Sequence, residues 1–239
     1  GHANSYRLRR LKDKLGTRSM ATAEVELAGA TAWQVGDPDR GFTQMAAMIN
    51  LSRLYNAVAS SGVMGRALEE ARAWTSSRSA FGRPLDRHPL VAEQLATLEA
   101  EREAAASLLF GLIGAMDRLE SGQPEPHDQA HIRLWTPILK FSTARRAVWA
   151  ASEAIELLGG NGYVEEWVTA RLYRDAQVLP IWEGASNIQV HDVVRALARA
   201  GGMTALEAWA AEGLGLLAEA VGDGLRQLGS DLAADWDRL

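Results

Sequence analysis

The sequence predicts a mainly α-helical protein: an antiparallel bundle of long helices preceded by a remnant of a β-domain. Three long segments have helical hydrophobic spacing and are separated by short stretches rich in Gly and Pro. Long helices with short connections pack as antiparallel neighbours. Before them, between residue 5 and about residue 35, apolar and polar side chains alternate with a period of two, as in strands. We therefore expect a partial β-domain over residues 1–40 and a helical domain over residues 41–239.

The predicted helices are bounded by turn and breaker residues. They cover residues 42–76, 89–119, 128–158, a shorter stretch after Ser186, and about 203–228. Pro137 falls inside the third helix and is expected to lie within it or to kink it. The same helix is expected to end at Gly159 and Gly160, because glycine is the preferred residue just past a helix C-terminus.

Composition excludes several kinds of site. The net charge of −5 argues against broad nucleic-acid binding. Cysteine is absent, which excludes disulfides, thiol catalysis and cysteine metal sites, and the histidines show no metal-ligand spacing, so no metal is predicted. No apolar run reaches about 20 residues without a charge, so no membrane contact is expected and the cytoplasm is the expected location.

The segment Trp182-Glu183-Gly184 is the strongest candidate for chemistry. It places one carboxylate between an indole, which can exclude water, and a glycine, which lets a ligand approach the backbone. Ser186 and Asn187 follow as N-cap residue types, and a helix N-terminus favours an anionic partner. This arrangement suits the general base for a carbon acid. The alternative is a surface carboxylate that caps a helix.

Four motifs in order resemble the acyl-CoA dehydrogenase superfamily. They are Tyr173–Ala176 with Ile181–Gln189, Arg78–Leu85, Gly159–Tyr163, and Leu11–Ser19. The last of these, together with Trp182-Glu183-Gly184, is most similar to the AidB-like (adaptive/alkylation response) branch. The resemblance extends to about Leu197. It implies a helical bundle of the acyl-CoA dehydrogenase C-terminal type, and a chain that is the C-terminal part of a longer flavoprotein.

The resemblance also implies a reaction and a cofactor. Glu183 would remove the α-proton of an acyl-CoA thioester while the β-hydride passes to N5 of FAD. The backbone N–H of Glu183 would polarise the thioester carbonyl. Arg53 and Gly184 would contact the substrate. The residues implied for FAD are Arg78, Phe81, Gln94, Gly159, Gly160, Ile181, Trp182, Gly184, Ala185, Ser186, Asn187 and Gln189.

Some of these residues imply an oligomer. In the family, Arg78 with Phe81 and the Gly159–Gly160 turn serve the FAD of a neighbouring subunit, so a homodimer or homotetramer is expected. Each position also has a structural alternative. Arg78 and Gln94 can be solvated, Phe81 can fill the core at the bend before Pro84, the glycines can only cap a helix, and Arg53 can be an ion-paired residue at the core edge.

Two other functions remain open at this stage. One is a DNA-associated protective flavoprotein with little dehydrogenase activity. Glu156, where many acyl-CoA dehydrogenases carry Gln, supports that branch. The acidic tail, with Asp223, Asp231, Asp235 and Asp237, weakens it, so DNA contact would need parts that are not in this chain. The other is a non-catalytic helical oligomerisation module.

Overall fold

Three long helices dominate the structure, a computed structural model that describes residues 4–199 and 201–211. The helices are α1 (Gly41–Ser77), α2 (Pro89–Glu120), α3 (Asp128–Leu158), α4 (Gly160–Tyr163), α5 (Val168–Ala176), α6 (Ser186–Leu197) and α7 (residues 202–211). The strands are β1 (Tyr6–Leu11), β2 (Ala23–Leu27), β3 (Ser79–Ala80) and β4 (Arg83–Pro84). The predicted mainly α bundle with a β remnant is confirmed.

Ion pairs show that consecutive long helices run in opposite directions. The C-terminal part of α1 meets the N-terminal part of α2 through Arg72 and Glu99. At the other end, Arg118 near the end of α2 binds Asp128 at the start of α3, with its Nη2 2.6 Å from Oδ1 of Asp128. The helices therefore form an up-down-up layer in which α1 and α3 lie side by side.

Small side chains let α1 and α3 approach closely. The shared core contains fully buried alanines from both helices, among them Ala67, Ala71, Ala144, Ala147 and Ala151. A helix surface of alanines allows short interaxial distances, which increases the number of van der Waals contacts. Trp182 packs against the edge of this core and so ties the segment before α6 to the bundle.

The β remnant is smaller than the sequence suggested. β1 and β2 form an antiparallel ribbon with an irregularity between Leu8 and Arg10, and no strand is assigned over residues 28–37. Leu8 and Val25 are 60% and 50% exposed. The described residues thus supply no second layer for this ribbon, and a two-stranded ribbon alone is marginally stable.

The link between β1 and β2 is anchored on α5. The backbone N–H of Thr17 donates to Oδ1 of Asp175 over 2.5 Å. A Cβ added at Gly16 would come within 2.2 Å of the carbonyl oxygen of Arg174, so this contact requires glycine. The Tyr-Arg-Asp-Ala segment therefore fixes the β remnant to the helical domain.

Two expectations about local structure need correction. Phe81 does not fill a core: it lies at the tip of the β3–β4 turn with φ of 51° and is 95% exposed. Ser186 and Asn187 do not cap α6 either, because Ala185 holds the N-cap position and no side chain caps that helix. Pro137, in contrast, lies inside α3 as expected.

Part of the predicted last helix, and the acidic tail with it, lies outside the described residues. Residues 202–211 are helical, whereas the prediction extended to about residue 228. Within residues 4–199 and 201–211, no helix is both long enough and apolar enough to cross a membrane.

Candidate functional site

The segment between α5 and α6 makes a strained turn at the predicted base. Glu183 has φ of 53° and Gly184 has φ of 100°. A left-handed conformation costs a non-glycine residue about 1 kcal/mol or more, because Cβ then crowds the backbone. Such strain persists only where the surroundings enforce it, and it concentrates at functional sites.

Three buried donors enforce this turn through its carbonyl groups. Nε of Arg53 donates to the Glu183 carbonyl over 3.1 Å, and Nζ of Lys140 donates to the Gly184 carbonyl over 2.8 Å. Nε2 of Gln189 lies 3.0 Å and 2.9 Å from these two oxygens. We call Arg53, Lys140 and Gln189 the turn clamp. The clamp joins α1, α3 and α6 beneath one carboxylate-bearing turn.

The two cations of the clamp are neutralised differently. Arg53 forms a buried ion pair, with its Nη1 2.6 Å from Oδ2 of Asp192, and Arg133 approaches the other oxygen of that carboxylate at 3.4 Å. Burial acts to raise the pKa of Asp192, but the hydrogen bond and charge of Arg53, with a smaller part from Arg133, hold this pKa below its ordinary value. Burial lowers the pKa of Lys140 to about 8, the charge of Glu183 acting in the opposite direction.

Three buried polar atoms at the turn have no hydrogen-bond partner among the described residues. They are Oε2 of Glu183, Nε1 of Trp182 and Oε1 of Gln189. Buried polar atoms without partners are rare in folded proteins, and each costs free energy. The carboxylate and the indole N–H therefore have hydrogen-bonding capacity that the described chain does not use.

Away from the Glu183 turn, a cleft of about 450 Å³ lies at the C-terminal ends of α1 and α3. Arg78, Gly159 and Gly160 line it. Arg78 is exposed, and its side chain makes no hydrogen bond or ion pair within the described part of the chain. A Cβ at either glycine would meet no described atom within 4 Å, so the backbone there is open to an approaching group. The nearby Phe81 presents its ring to solvent.

The two sites lie far apart on one chain. Arg53 lies on α1 and Arg78 is the C-cap residue of that helix, 25 positions later, which at a rise of 1.5 Å per residue is about 37 Å. Glu183 is beside Arg53, and the Gly159–Gly160 turn is beside Arg78. The predicted residues thus fall into one group around Glu183 and another around Arg78.

The remaining predicted residues divide into surface and buried positions. Ile181, Ala185 and Asn187 are exposed around the turn, and Ser186 is half-buried. Gln189 is fully buried beneath the turn, Arg53 is 6% exposed, and both side chains contact the carbonyl groups of the turn; their contacts with cofactor and substrate stay predictions.

Gln94 is half-buried, and its amide donates to Oε2 of Glu153 over 3.2 Å.

Comparison with known proteins places this arrangement in a family. Residues 39–198 match the model of the family described as "Acyl-CoA dehydrogenase, C-terminal domain". The chain belongs to the acyl-CoA dehydrogenase family. The match begins just before α1 and ends just after α6, so it contains both groups of predicted residues.

Relatives in this family are much longer than the chain. It is 40% identical over 195 residues to acyl-CoA dehydrogenase family member 11 of Caenorhabditis elegans, covering 82% of this chain and 32% of that protein. It is 38% identical over 203 residues to the putative acyl-CoA dehydrogenase AidB of Escherichia coli K12, covering 85% of this chain and 37% of that one. The chain thus spans about a third of the length of these relatives.

Solved structures of the family share the fold. The C. elegans protein ACDH-11 in complex with C11-CoA has a TM-score of 0.86 and 38% identity, covering 90% of this chain and 36% of that one. An acyl-CoA dehydrogenase of Bacillus anthracis complexed with FAD has a TM-score of 0.75 over 84% of this chain and 36% of that one, and its 23% identity supports a common fold alone.

Sequence reasoning missed Lys140 and Asp192. Lys140 reaches the Gly184 carbonyl from 44 residues away on α3, whereas Asp192 lies on α6 close after the turn and acts through its ion pair with Arg53. A usable signal was present for Lys140, because it stands between Leu139 and Phe141 in a helix whose buried face is rich in alanine. A lysine amid such neighbours indicates either a snorkelling side chain or a buried cation.

Proposed function

We propose that this chain is the C-terminal part of an FAD-dependent oxidoreductase that acts on acyl-CoA thioesters, with Glu183 as the general base. One observation carries the proposal. The Glu183 turn is held in a strained conformation by three buried donors, and a buried carboxylate oxygen of Glu183 has no partner among the described residues. Such preorganisation suits a group that must meet a substrate proton.

The residues of this chain fit a flavin dinucleotide at two places. Arg78 offers a guanidinium for a pyrophosphate, and Gly159 and Gly160 leave their backbone open beside it. Near Glu183, the unused indole N–H of Trp182 offers a donor. FAD bound there supplies the acceptor for the hydride that leaves Cβ of the thioester.

The chemical step assigned to this chain is a proton transfer. A carboxylate oxygen of Glu183 takes the proton from Cα of the acyl group, the electron pair of that C–H bond forms the Cα=Cβ double bond, and the hydrogen on Cβ departs with its own pair to the flavin. The thioester becomes a 2-enoyl thioester and the flavin is reduced. The backbone N–H of Glu183 donates to the thioester carbonyl and stabilises the charge that develops on it.

The geometry also supports an assembly of identical subunits. The Arg78 cleft lies about 37 Å along α1 from Arg53 and the Glu183 turn, too far for both to be near one reacting ring. Each therefore serves the flavin of a different subunit, and the functional form is a dimer or a tetramer. We place this assembly in the cytoplasm.

The decisive variant is Glu183→Gln in the full-length protein. Glutamine keeps the side-chain shape and loses the base, so FAD content should stay at the wild-type level while bleaching of the flavin absorbance by an acyl-CoA falls at least a hundredfold. The matched control is Glu166→Gln, because Glu166 is an exposed carboxylate in the loop between α4 and α5.

Two results would contradict the proposal. Bleaching of Glu183→Gln at the wild-type rate removes Glu183 as the base. A wild-type protein that binds FAD but never bleaches with acyl-CoA thioesters of any length removes the dehydrogenase function and favours the DNA-associated protective role, which a salt-dependent DNA mobility shift would then test.

A further inference from the structure

Lys140 is a buried cation that forms no ion pair within the described residues. It lies in the first half of α3, is 1% exposed, and its one hydrogen bond there is the 2.8 Å contact with the Gly184 carbonyl. Replacing a buried charged group by an apolar side chain of similar volume often stabilises a protein. A lysine kept in this position therefore calls for a role other than stability.

Two charged groups act on Lys140. Glu183 in the turn raises its pKa, and Arg53 on α1 lowers it, but burial has the larger effect and brings the pKa to about 8. Arg53 already has Asp192 of α6 as its counter-ion, and Asp192 is shared with Arg133 of α3. Among these groups, the carboxylate of Glu183 is the remaining anion that can balance the ammonium of Lys140.

We propose that Lys140 is a positioning residue for the base: its ammonium holds the Gly184 carbonyl from beneath the turn and so fixes the strained backbone that carries the Glu183 carboxylate. The restraint concerns the turn alone. Its effect on catalysis rests on the proposed function, because the position of Glu183 matters to a rate only if this residue removes a proton. The restraint and its effect on catalysis have separate measurements.

The contact gives the direction of the effect. A left-handed backbone at Glu183 persists only where its surroundings enforce it. Without the hydrogen bond from Lys140 to the Gly184 carbonyl the turn is less restrained, so the carboxylate of Glu183 is held less often where it can meet the substrate proton.

The test compares Lys140→Met with Lys12→Met in the full-length protein. Methionine has nearly the volume of lysine and no charge, and Lys12 is an exposed lysine on the β remnant, so the control makes the same chemical change away from the turn. Hydrogen–deuterium exchange of residues 181–190 reports on the turn without any need for activity. The maximal rate of flavin bleaching by an acyl-CoA, compared with KM, reports on the position of Glu183.

We expect faster exchange over residues 181–190 in Lys140→Met alone, and a maximal bleaching rate about tenfold below that of the wild type with little change in KM. Lys140→Arg retains a cationic donor and should recover part of the rate. Lys140→Leu is the second variant without a donor if methionine prevents folding, and the same changes are expected for it.

Unchanged exchange in the variants without a donor overturns the proposed restraint, and an unchanged maximal rate in a protein that bleaches overturns the action of Lys140 on Glu183. If the wild type does not bleach, the proposed function fails, and the exchange measurement alone decides whether Lys140 restrains the turn.

Discussion

At the scale of single residues, Glu183 combines two features that cost free energy. Its backbone is left-handed, and its Oε2 is buried without a partner among the described residues. Strain and unsatisfied polar atoms lower the free energy of unfolding, and natural proteins tolerate them where function needs them. The residue should therefore be replaceable with a gain in stability.

We predict that Glu183→Gly is more stable than Glu183→Ala by about 1 kcal/mol, because both remove the carboxylate but glycine alone relieves the positive φ. Chemical denaturation of the two variants measures this difference. The control is Ala80→Gly compared with the wild type. Ala80 is half-buried and has no positive φ, so glycine should not raise the stability there. Equal stabilities at position 183 would mean that the turn relaxes without glycine.

Part of this site could be predicted from the sequence and part could not. Trp182, Glu183 and Gly184 are adjacent, so their chemistry is visible in one local pattern. The clamp is assembled from α1, α3 and α6, and no local pattern links Arg53 to a carbonyl 130 residues away. Gln189 was assigned to the cofactor by the resemblance of the Ile181–Gln189 motif, and no sequence pattern showed that its side chain also lies beneath the turn and binds its carbonyl groups.

At the scale of elements, the junction between α2 and α3 depends on one buried carboxylate. Asp128 is 1% exposed and receives a bidentate contact from Arg118, at 2.9 Å and 2.6 Å, and a third bond from the Glu125 N–H at 2.8 Å. The Arg118 hydrogen bond is the main cause that holds the pKa of Asp128 below its ordinary value, against the opposing effect of burial.

We predict that Asp128→Asn lowers the melting temperature by several degrees at neutral pH, because it breaks these charge-assisted bonds. The pKa of Asp128 is lower in the folded state, so its stabilisation is complete above the unfolded pKa of about 4 and is lost as pH falls through the folded value. The difference between wild type and Asp128→Asn in calorimetry should thus narrow below about pH 4. The control is Asp117→Asn, at an exposed position near the end of α2. A difference in melting temperature between wild type and Asp128→Asn that persists in acid would exclude the Arg118 contact as its source.

Helix boundaries were predictable where the chain marks them locally. The third helix was predicted over residues 128–158 and is observed at Asp128–Leu158, since Pro126 and Gly159 flank it. The short α5 was not predicted, because its nine residues lie between a glycine turn and a proline without a long apolar repeat. Residues 28 to about 35 were predicted as part of the β region and form no strand, because a sequence pattern alone does not provide a neighbouring strand.

At the scale of the whole molecule, Phe81 and Arg78 lie near each other on the surface. Phe81 is 95% exposed with a left-handed backbone, and the Arg78 side chain has no hydrogen-bond or ion-pair partner within the described residues. On the proposed function, the neighbouring subunit with its FAD covers this region. Light scattering of the full-length protein should then show a dimer or tetramer, and a strict monomer at tens of micromolar would exclude this explanation.

We predict that Arg78→Glu lowers FAD retention of the full-length oligomer about tenfold or more, because the substituted side chain repels a pyrophosphate. The melting temperature of the apoprotein should stay unchanged, because the Arg78 side chain makes no hydrogen bond or ion pair within the described residues. Equilibrium dialysis measures retention. Arg87→Glu, at another exposed arginine that follows the β3–β4 turn, should retain FAD normally. Equal losses in both variants would point to net charge instead of a specific contact.

The hydrogen bond between Thr17 and Asp175 can form only late in the synthesis of the chain. The two residues are 158 positions apart, and ribosomes add about 5 to 20 residues each second. The ribbon of β1 and β2 therefore emerges about 8 to 32 s before α5 exists to receive it. During that interval the link between β1 and β2 lacks the carboxylate to which Thr17 is bonded, so the ribbon is expected to be less ordered early in translation than after α5 has left the ribosome.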